Sequence, residues 1–99
     1  MAQDKLNLEE VFEKHDGEYS HFERIENPRH PRPDICAFLM LHDLVPGDRD
    51  MVCSAEHDQI WLDTDLEELA ERATEAQIID LIRCGVMYDD ETGGLSMYA

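Results

Sequence analysis

Apolar residues recur along this chain at intervals that change from segment to segment, and the changes mark its elements. Leu8, Val11 and Phe12 stand three and four apart, the spacing of one helical face. Asn7 followed by Glu10 makes a capping pair, and Leu6 and Val11 occupy the positions of a hydrophobic staple. Together they predict a short helix over residues 8–15, closing before Gly17. Residues 17–33 have no period. Phe22 and Ile25 can anchor a helical turn, but Asn27-Pro28 and His30-Pro31-Arg32-Pro33 impose an extended, turning path, so the stretch reads as an irregular connection. Asp34 is then placed to cap residues 35–45, which are apolar on nearly every side and stop at Pro46-Gly47. That length suits a central helix better than a buried strand, although periodicity alone leaves both open.

The second half carries stronger signals. Residues 51–63 alternate around Ile60, Trp61 and Leu62 and predict one or two strands. Two helices follow. Thr64 with Glu67, or Asp65 with Glu68, caps the first, which buries Leu66, Leu69, Ala70 and Ala73. Thr74 with Gln77 is a capping box for the second, whose apolar positions are Ile78, Ile79, Leu81 and Ile82. Gly85 fits the left-handed position that closes this helix, with Val86 packing back on Leu81 as in a Schellman cap. Val86, Met87 and Tyr88, a turn over residues 89–94 and a strand over residues 95–98 complete a C-terminal hairpin. The expectation is an α+β single domain over residues 1–99, with about four helices, a short strand or hairpin region in the middle and a C-terminal β-hairpin. A chain of 99 residues suits one domain.

Charge narrows the function classes more than the fold does. Twenty-four Asp and Glu stand against eight Lys and Arg, a formal net charge of −16. Residues 1–50 hold twelve acids and six bases, whereas residues 51–99 hold twelve acids and only Arg72 and Arg83. Such a field repels nucleic acid and anionic lipid and attracts basic partners. Asp63, Glu67, Glu71 and Glu75 recur every four residues, and on a continuous helix they would form one acidic stripe with neighbours about 5 to 6 Å apart. A break near Thr74 would turn the last one away. Acids near helix N-termini are also stabilised by the macrodipole, and Glu68 can pair with Arg72, so a solvated outer face explains much of the same pattern.

Candidate chemistry is sparse. Cys36, Cys53 and Cys84 are an odd, scattered set, typical of free thiols in a reducing, cytoplasmic compartment rather than of a disulfide framework. The N-terminus lacks a basic region followed by an apolar one, and the longest apolar run, residues 35–41, falls far short of the roughly 20 residues that span a bilayer. Five His and three Cys do not assume zinc-site spacings: Cys53 and His57 sit in a strand region, and Cys36 and His42 would lie on different helix faces. His15 near a helix end suits capping. No Gly-rich phosphate loop or nucleophile elbow is present, and Gly93-Gly94 suits a hairpin turn. The expectation is a non-enzyme with no cofactor and no metal.

Two resemblances bear on function. The order strand, helix, short break, helix, hairpin over residues 57–98 resembles a helix-turn-helix with wing, yet the helix that would read DNA offers Glu75 and Asp80 with a single base, Arg83, and the wing turn offers Asp89, Asp90 and Glu91. Direct nucleic-acid binding is therefore not expected. The segments Ala55-Glu56-His57-Asp58-Gln59-Ile60-Trp61-Leu62-Asp63, Arg83-Cys84-Gly85-Val86 and Leu95-Ser96-Met97-Tyr98-Ala99 are similar to small acidic proteins encoded by bacteriophages and prophages, most without assigned function. This resemblance implies a bacterial host cell and an accessory role toward a host machine. The resulting expectation is an acidic accessory protein that blocks or modulates a basic nucleic-acid-binding complex by nucleic-acid mimicry. Its candidate contact residues are Asp58, Asp63, Asp65, Glu67, Glu71, Glu75, Asp89, Asp90 and Glu91. The alternative is a structural or assembly protein, or a non-DNA-binding winged-helix-like module, that uses an apolar interface around Tyr88, Met97 or Tyr98.

Overall fold

Helix starts in this chain are set by side chains that satisfy the first orphan amides, and the computed structural model, which describes residues 6–89, 91 and 93–98, has helices where those side chains lie. Asn7 Oδ1 accepts the Glu10 N–H at 3.1 Å and opens α1, Leu8–Lys14. Asp65 Oδ1 accepts the N–H groups of Glu67 and Glu68 at 3.1 and 3.2 Å and opens α3, Leu66–Arg72. Asp65 is thus the cap, and the Thr64 hydroxyl is buried without a hydrogen-bond partner among the described residues. Thr74 Oγ1 accepts the Gln77 N–H at 3.2 Å while Gln77 Oε1 accepts the Thr74 N–H at 2.8 Å, a reciprocal box that opens α4, Glu75–Arg83. Gly85, at φ +102°, closes α4: its N–H donates to Ile82 and that of Val86 to Leu81, the two bonds of a Schellman motif.

The apolar run after the prolines is helical, but it begins earlier and is less central than its composition suggests. Helix α2, Pro33–Leu44, has Arg32 at its cap position with no side-chain bond, and Asp34 lies inside the first turn, where its carboxylate accepts the Ile35 N–H at 2.9 Å. Pro33 explains the shift. It lacks the N–H that a cap would have to satisfy, and its ring presets a helical φ. Only one face of α2 is buried, through Cys36, Ala37, Met40 and Leu41, while Leu39 is 41% exposed. The connection before it is not wholly irregular, since 3-10 turns form at Asp16–Glu18 and Phe22–Arg24.

Four strands make one antiparallel sheet in the order β1-β2-β4-β3, with β1 at Val52–Glu56, β2 at Gln59–Leu62, β3 at Met87–Asp89 and β4 at Gly94–Tyr98. Residues 51–63 thus form two strands, joined at His57-Asp58, with His57 at φ +56°. Cys53 is an extra residue in β1, where Val52 pairs with Leu62 but Ser54 with Trp61. Because Ile60 faces Met97 and Leu62 faces Leu95, these four side chains share the sheet face that packs on the helices. Leu69, Ile78, Leu81 and Leu95 have no exposed surface, which puts α3, the apolar face of α4 and β4 at the centre of the core. Among the described residues no helix is long and apolar enough to cross a membrane.

Residues 16–25 offer few apolar side chains and are held largely by polar bonds to α4. Arg83 Nε donates to Glu18 at 2.9 Å, and its Nη1 donates to Asp80 at 3.2 Å and to the Arg24 carbonyl at 3.4 Å. The Arg24 guanidinium also reaches Glu18 at 3.1 Å, and the Ser20 N–H donates to the Ile82 carbonyl at 3.2 Å. Bonds from Arg83 and then Arg24 hold the Glu18 carboxyl below the usual carboxylate range.

Two outcomes follow. Leu69→Ala should cost about 2 to 5 kcal/mol in urea unfolding, as the truncation of a fully buried leucine. A loss under about 1 kcal/mol would place Leu69 outside the core. Glu18 provides the pH test: because folding depresses its pKa, its contribution is present above the ordinary carboxylate range and fades as pH falls through the folded value. The Tm of Glu18→Gln should therefore lie furthest below that of the parent near neutral pH, and the two should converge on acidification. A gap that does not change with pH would contradict the ion-pair role.

Candidate functional site

Eight of the nine acids singled out by sequence are among the described residues, in three kinds of setting. Asp58 lies at the exposed tip of the β1–β2 turn, and Glu91 is exposed in the β3–β4 turn. Asp90 lies outside the described residues. Glu67 and Glu71 are exposed on α3, one turn apart. The remaining acids have structural duties. Asp63 takes two bonds from the Arg49 guanidinium, at 2.9 and 3.1 Å. Asp65 caps α3, and Asp89 accepts the Trp61 indole N–H at 2.7 Å and the Glu91 N–H at 3.0 Å. Glu75 pairs with His15 at 2.5 Å and Lys14 at 3.4 Å; these bonds, His15 first, hold its carboxyl below the usual range.

The four-residue rhythm from Asp63 to Glu75 is therefore not a continuous stripe. Helix α3 begins only at Leu66 and ends at Arg72, and Ala73 is extended at φ −84° and ψ 149°. Its termination comes from the Thr74 capping box, which starts a new helix and turns Glu75 toward α1. Glu67 and Glu71 are the pair of the series that shares a helix.

Basic side chains pair with carboxylates of the same chain, most of them at the surface: Arg49 stays 82% exposed, and Arg83 is the more buried, at 24% exposed. Lys14 pairs with Glu75, Arg24 and Arg83 with Glu18, Arg29 with Asp43, Arg49 with Asp63 and Arg72 with Glu68. These account for six of the eight Lys and Arg in the chain. With its bases so engaged, the protein presents outward a surface dominated by carboxylates.

A concave site that sequence reasoning missed lies between α1, the Asp16–Glu18 turn, the end of α4 and the C-terminal hairpin. Its volume is about 650 Å³. Phe12, Ile82 and Val86 line it as buried side chains, with Met87 and Tyr88 beside them. The Phe12 and Tyr88 rings lie 6.1 Å apart, tilted at 44°. Tyr19 and Tyr98 also line it, 37% and 57% exposed. Burial, then the neighbouring Tyr98, pushes the Tyr19 phenol above its ordinary range. Glu9, Glu13 and Asp16 complete the lining, which among the described residues includes no Lys, Arg or His. Of the side chains considered for an apolar interface, Tyr98 is exposed and Tyr88 half-buried, whereas Met97 is 4% exposed and belongs to the core. The spacing of Glu9, Glu13 and Asp16 around Phe12 was visible in sequence, but nothing local tied it to Tyr88 and Tyr98.

Thiol and imidazole chemistry finds no shared centre. Cys53 donates to the Trp61 carbonyl at 3.5 Å, while His57 sits in the turn beyond β1 with its ring 3.9 Å from Glu56. Burial, then the adjacent Cys36 thiol, pushes the Cys84 thiol far above its ordinary range and keeps it protonated and unreactive. Among the described residues no three His, Cys, Asp or Glu side chains gather where they could hold a metal ion.

Compared with known proteins, the chain matches no family model, no curated protein and no solved structure.

Proposed function

We propose that this chain is a non-enzymatic accessory protein that binds a basic partner, a nucleic-acid-binding host complex, and blocks or modulates it by presenting carboxylates where phosphates would lie. The observation that carries this reading is that Lys14, Arg24, Arg29, Arg49, Arg72 and Arg83 are each paired with carboxylates of the chain itself, which leaves the acids in excess on a chain with net charge −16. Glu67 and Glu71 contribute a pair at roughly phosphate-like spacing, about 5 to 6 Å. Asp58 and Glu91 add charge at the exposed turns. The likeness to small acidic bacteriophage proteins points the same way, toward a bacterial cytoplasm. The three free thiols Cys36, Cys53 and Cys84 fit a reducing compartment.

A second reading keeps the element order of β2, α3, α4, β3 and β4 as a winged-helix-like interaction or assembly module that works through apolar contact. The exposure of Tyr98 at 57% favours it. The two readings differ in how binding responds to salt.

The test is capture on the immobilised chain from cells that express it, followed by affinity measurements on the recovered partner. Binding should weaken at least about tenfold between about 0.05 and 0.5 M salt, as the screening length shortens below about 8 Å. Replacing Glu67 and Glu71 together by Gln should leave thermal unfolding close to that of the parent and weaken binding about tenfold, equivalent to about 1.4 kcal/mol. An affinity indifferent both to salt and to the double substitution would reject mimicry and leave the apolar reading standing.

A further inference from the structure

The groove beside α1 combines three properties that together select an occupant. Its walls are apolar and aromatic, its volume of about 650 Å³ lies within the range that accommodates small ligands or a few large side chains, and the charged residues in its lining are, among the described residues, all acids. Glu9, Glu13 and Asp16 have no ion-pair partner among the described residues, unlike Glu75 nearby, which is held by His15 and Lys14. Tyr19 and Tyr98, two of the three large apolar side chains most exposed on the described surface, both line this groove. Aromatic faces beside carboxylates favour a cation whose neighbouring atoms are apolar, since the ring quadrupole and the carboxylates attract the same charge.

We propose that this groove is the docking site for a cationic amphipathic segment of a partner protein, with one bulky apolar side chain seated against Phe12, Ile82 and Val86 and adjacent Lys or Arg side chains paired with Glu9, Glu13 and Asp16. This rests on the reading of the chain as a ligand for a basic protein, and it names where and through what chemistry that protein is held. A second copy of the chain is disfavoured because it would bring another −16 of net charge against an acidic rim. Nucleic acid and anionic lipid are disfavoured for the same reason. Truncating Tyr19 and Tyr98 removes exposed rings, so this loss can be separated from loss of the core.

The probe is a short synthetic peptide of Leu and Lys arranged at helical spacing, compared at low salt with a scrambled peptide of identical composition. Binding is followed by anisotropy and by NMR shifts. The patterned peptide should move the signals of Phe12, Tyr19, Met87 and Tyr98 and bind at least about tenfold more tightly than the scrambled one. Tyr19→Ala with Tyr98→Ala should abolish most of that preference while leaving the scrambled peptide's weak binding intact. Glu9→Gln and Glu13→Gln together should weaken the patterned peptide more than equal charge removal at Asp48 and Asp50, in the loop between α2 and β1 and outside the groove lining.

Equal binding of the two peptides, or equal effects of rim and loop substitutions, would overturn the groove while leaving the broader reading of an acidic ligand intact. Binding of neither peptide at low salt would overturn both. A dimer in sedimentation that Tyr98→Ala dissociates would assign the groove to a second copy and overturn the proposal.

Discussion

A chain this acidic has few bases with which to hold itself together, and Arg83 occupies the position where one is needed most. Its guanidinium joins Glu18, Asp80 and the Arg24 carbonyl, tying the proline-preceding segment, which has little apolar surface of its own, to the last turn of α4. Glu18 is shared with Arg24, so one carboxylate is held by two cations. The neighbouring Ser20–Ile82 backbone bond fixes the chain path between them. Tyr19 lies in that stretch, between Glu18 and Ser20. The aromatic wall of the groove therefore depends on an ion-pair cluster that contributes nothing to the outward acidic field.

The same economy of bases shapes the surface. Each of the pairs Lys14–Glu75, Arg49–Asp63 and Arg72–Glu68 fastens a helix end or a loop, and each matches a solvent-exposed cation with a carboxylate of the chain itself. Exposed pairs of this kind contribute little stability individually, so their larger effect is to neutralise the few cations locally. The helix that would enter a DNA groove in a winged-helix arrangement here has its first-turn acid paired to α1 and its last-turn base turned to Glu18. What it buries, through Ile78, Leu81 and Ile82, is the core itself.

Much of the architecture was legible because it is encoded locally. The caps at Asn7 and Thr74, the Schellman closure at Gly85 and the hairpin turn near Gly93 depend on residues at most five positions apart. Near misses are local too: Pro33 took the helix start from Asp34 because a proline cannot donate the amide a cap would satisfy. The site was harder to read because it is assembled over long separations. His15 meets Glu75 and Glu18 meets Arg83, 60 and 65 positions apart, which decides which acids are engaged. The groove likewise joins Phe12 and Tyr19 to Val86, Tyr88 and Tyr98. Composition announced the acidity, but only the fold could separate Asp63, Asp65, Glu75 and Asp89, with their structural duties, from the acids around the groove.

The central claim is that the few bases, most of them paired with a carboxylate of the chain, leave an acidic field that extends over the mouth of the aromatic groove. Relaxation enhancement of the protein's protons by a cationic and by an anionic paramagnetic co-solute measures the local potential residue by residue. The account predicts marked enrichment of the cationic probe around Glu9, Glu13, Asp16 and Tyr98, comparable with that around Glu67 and Glu71. Equal enhancement by the two probes at the groove mouth would contradict it.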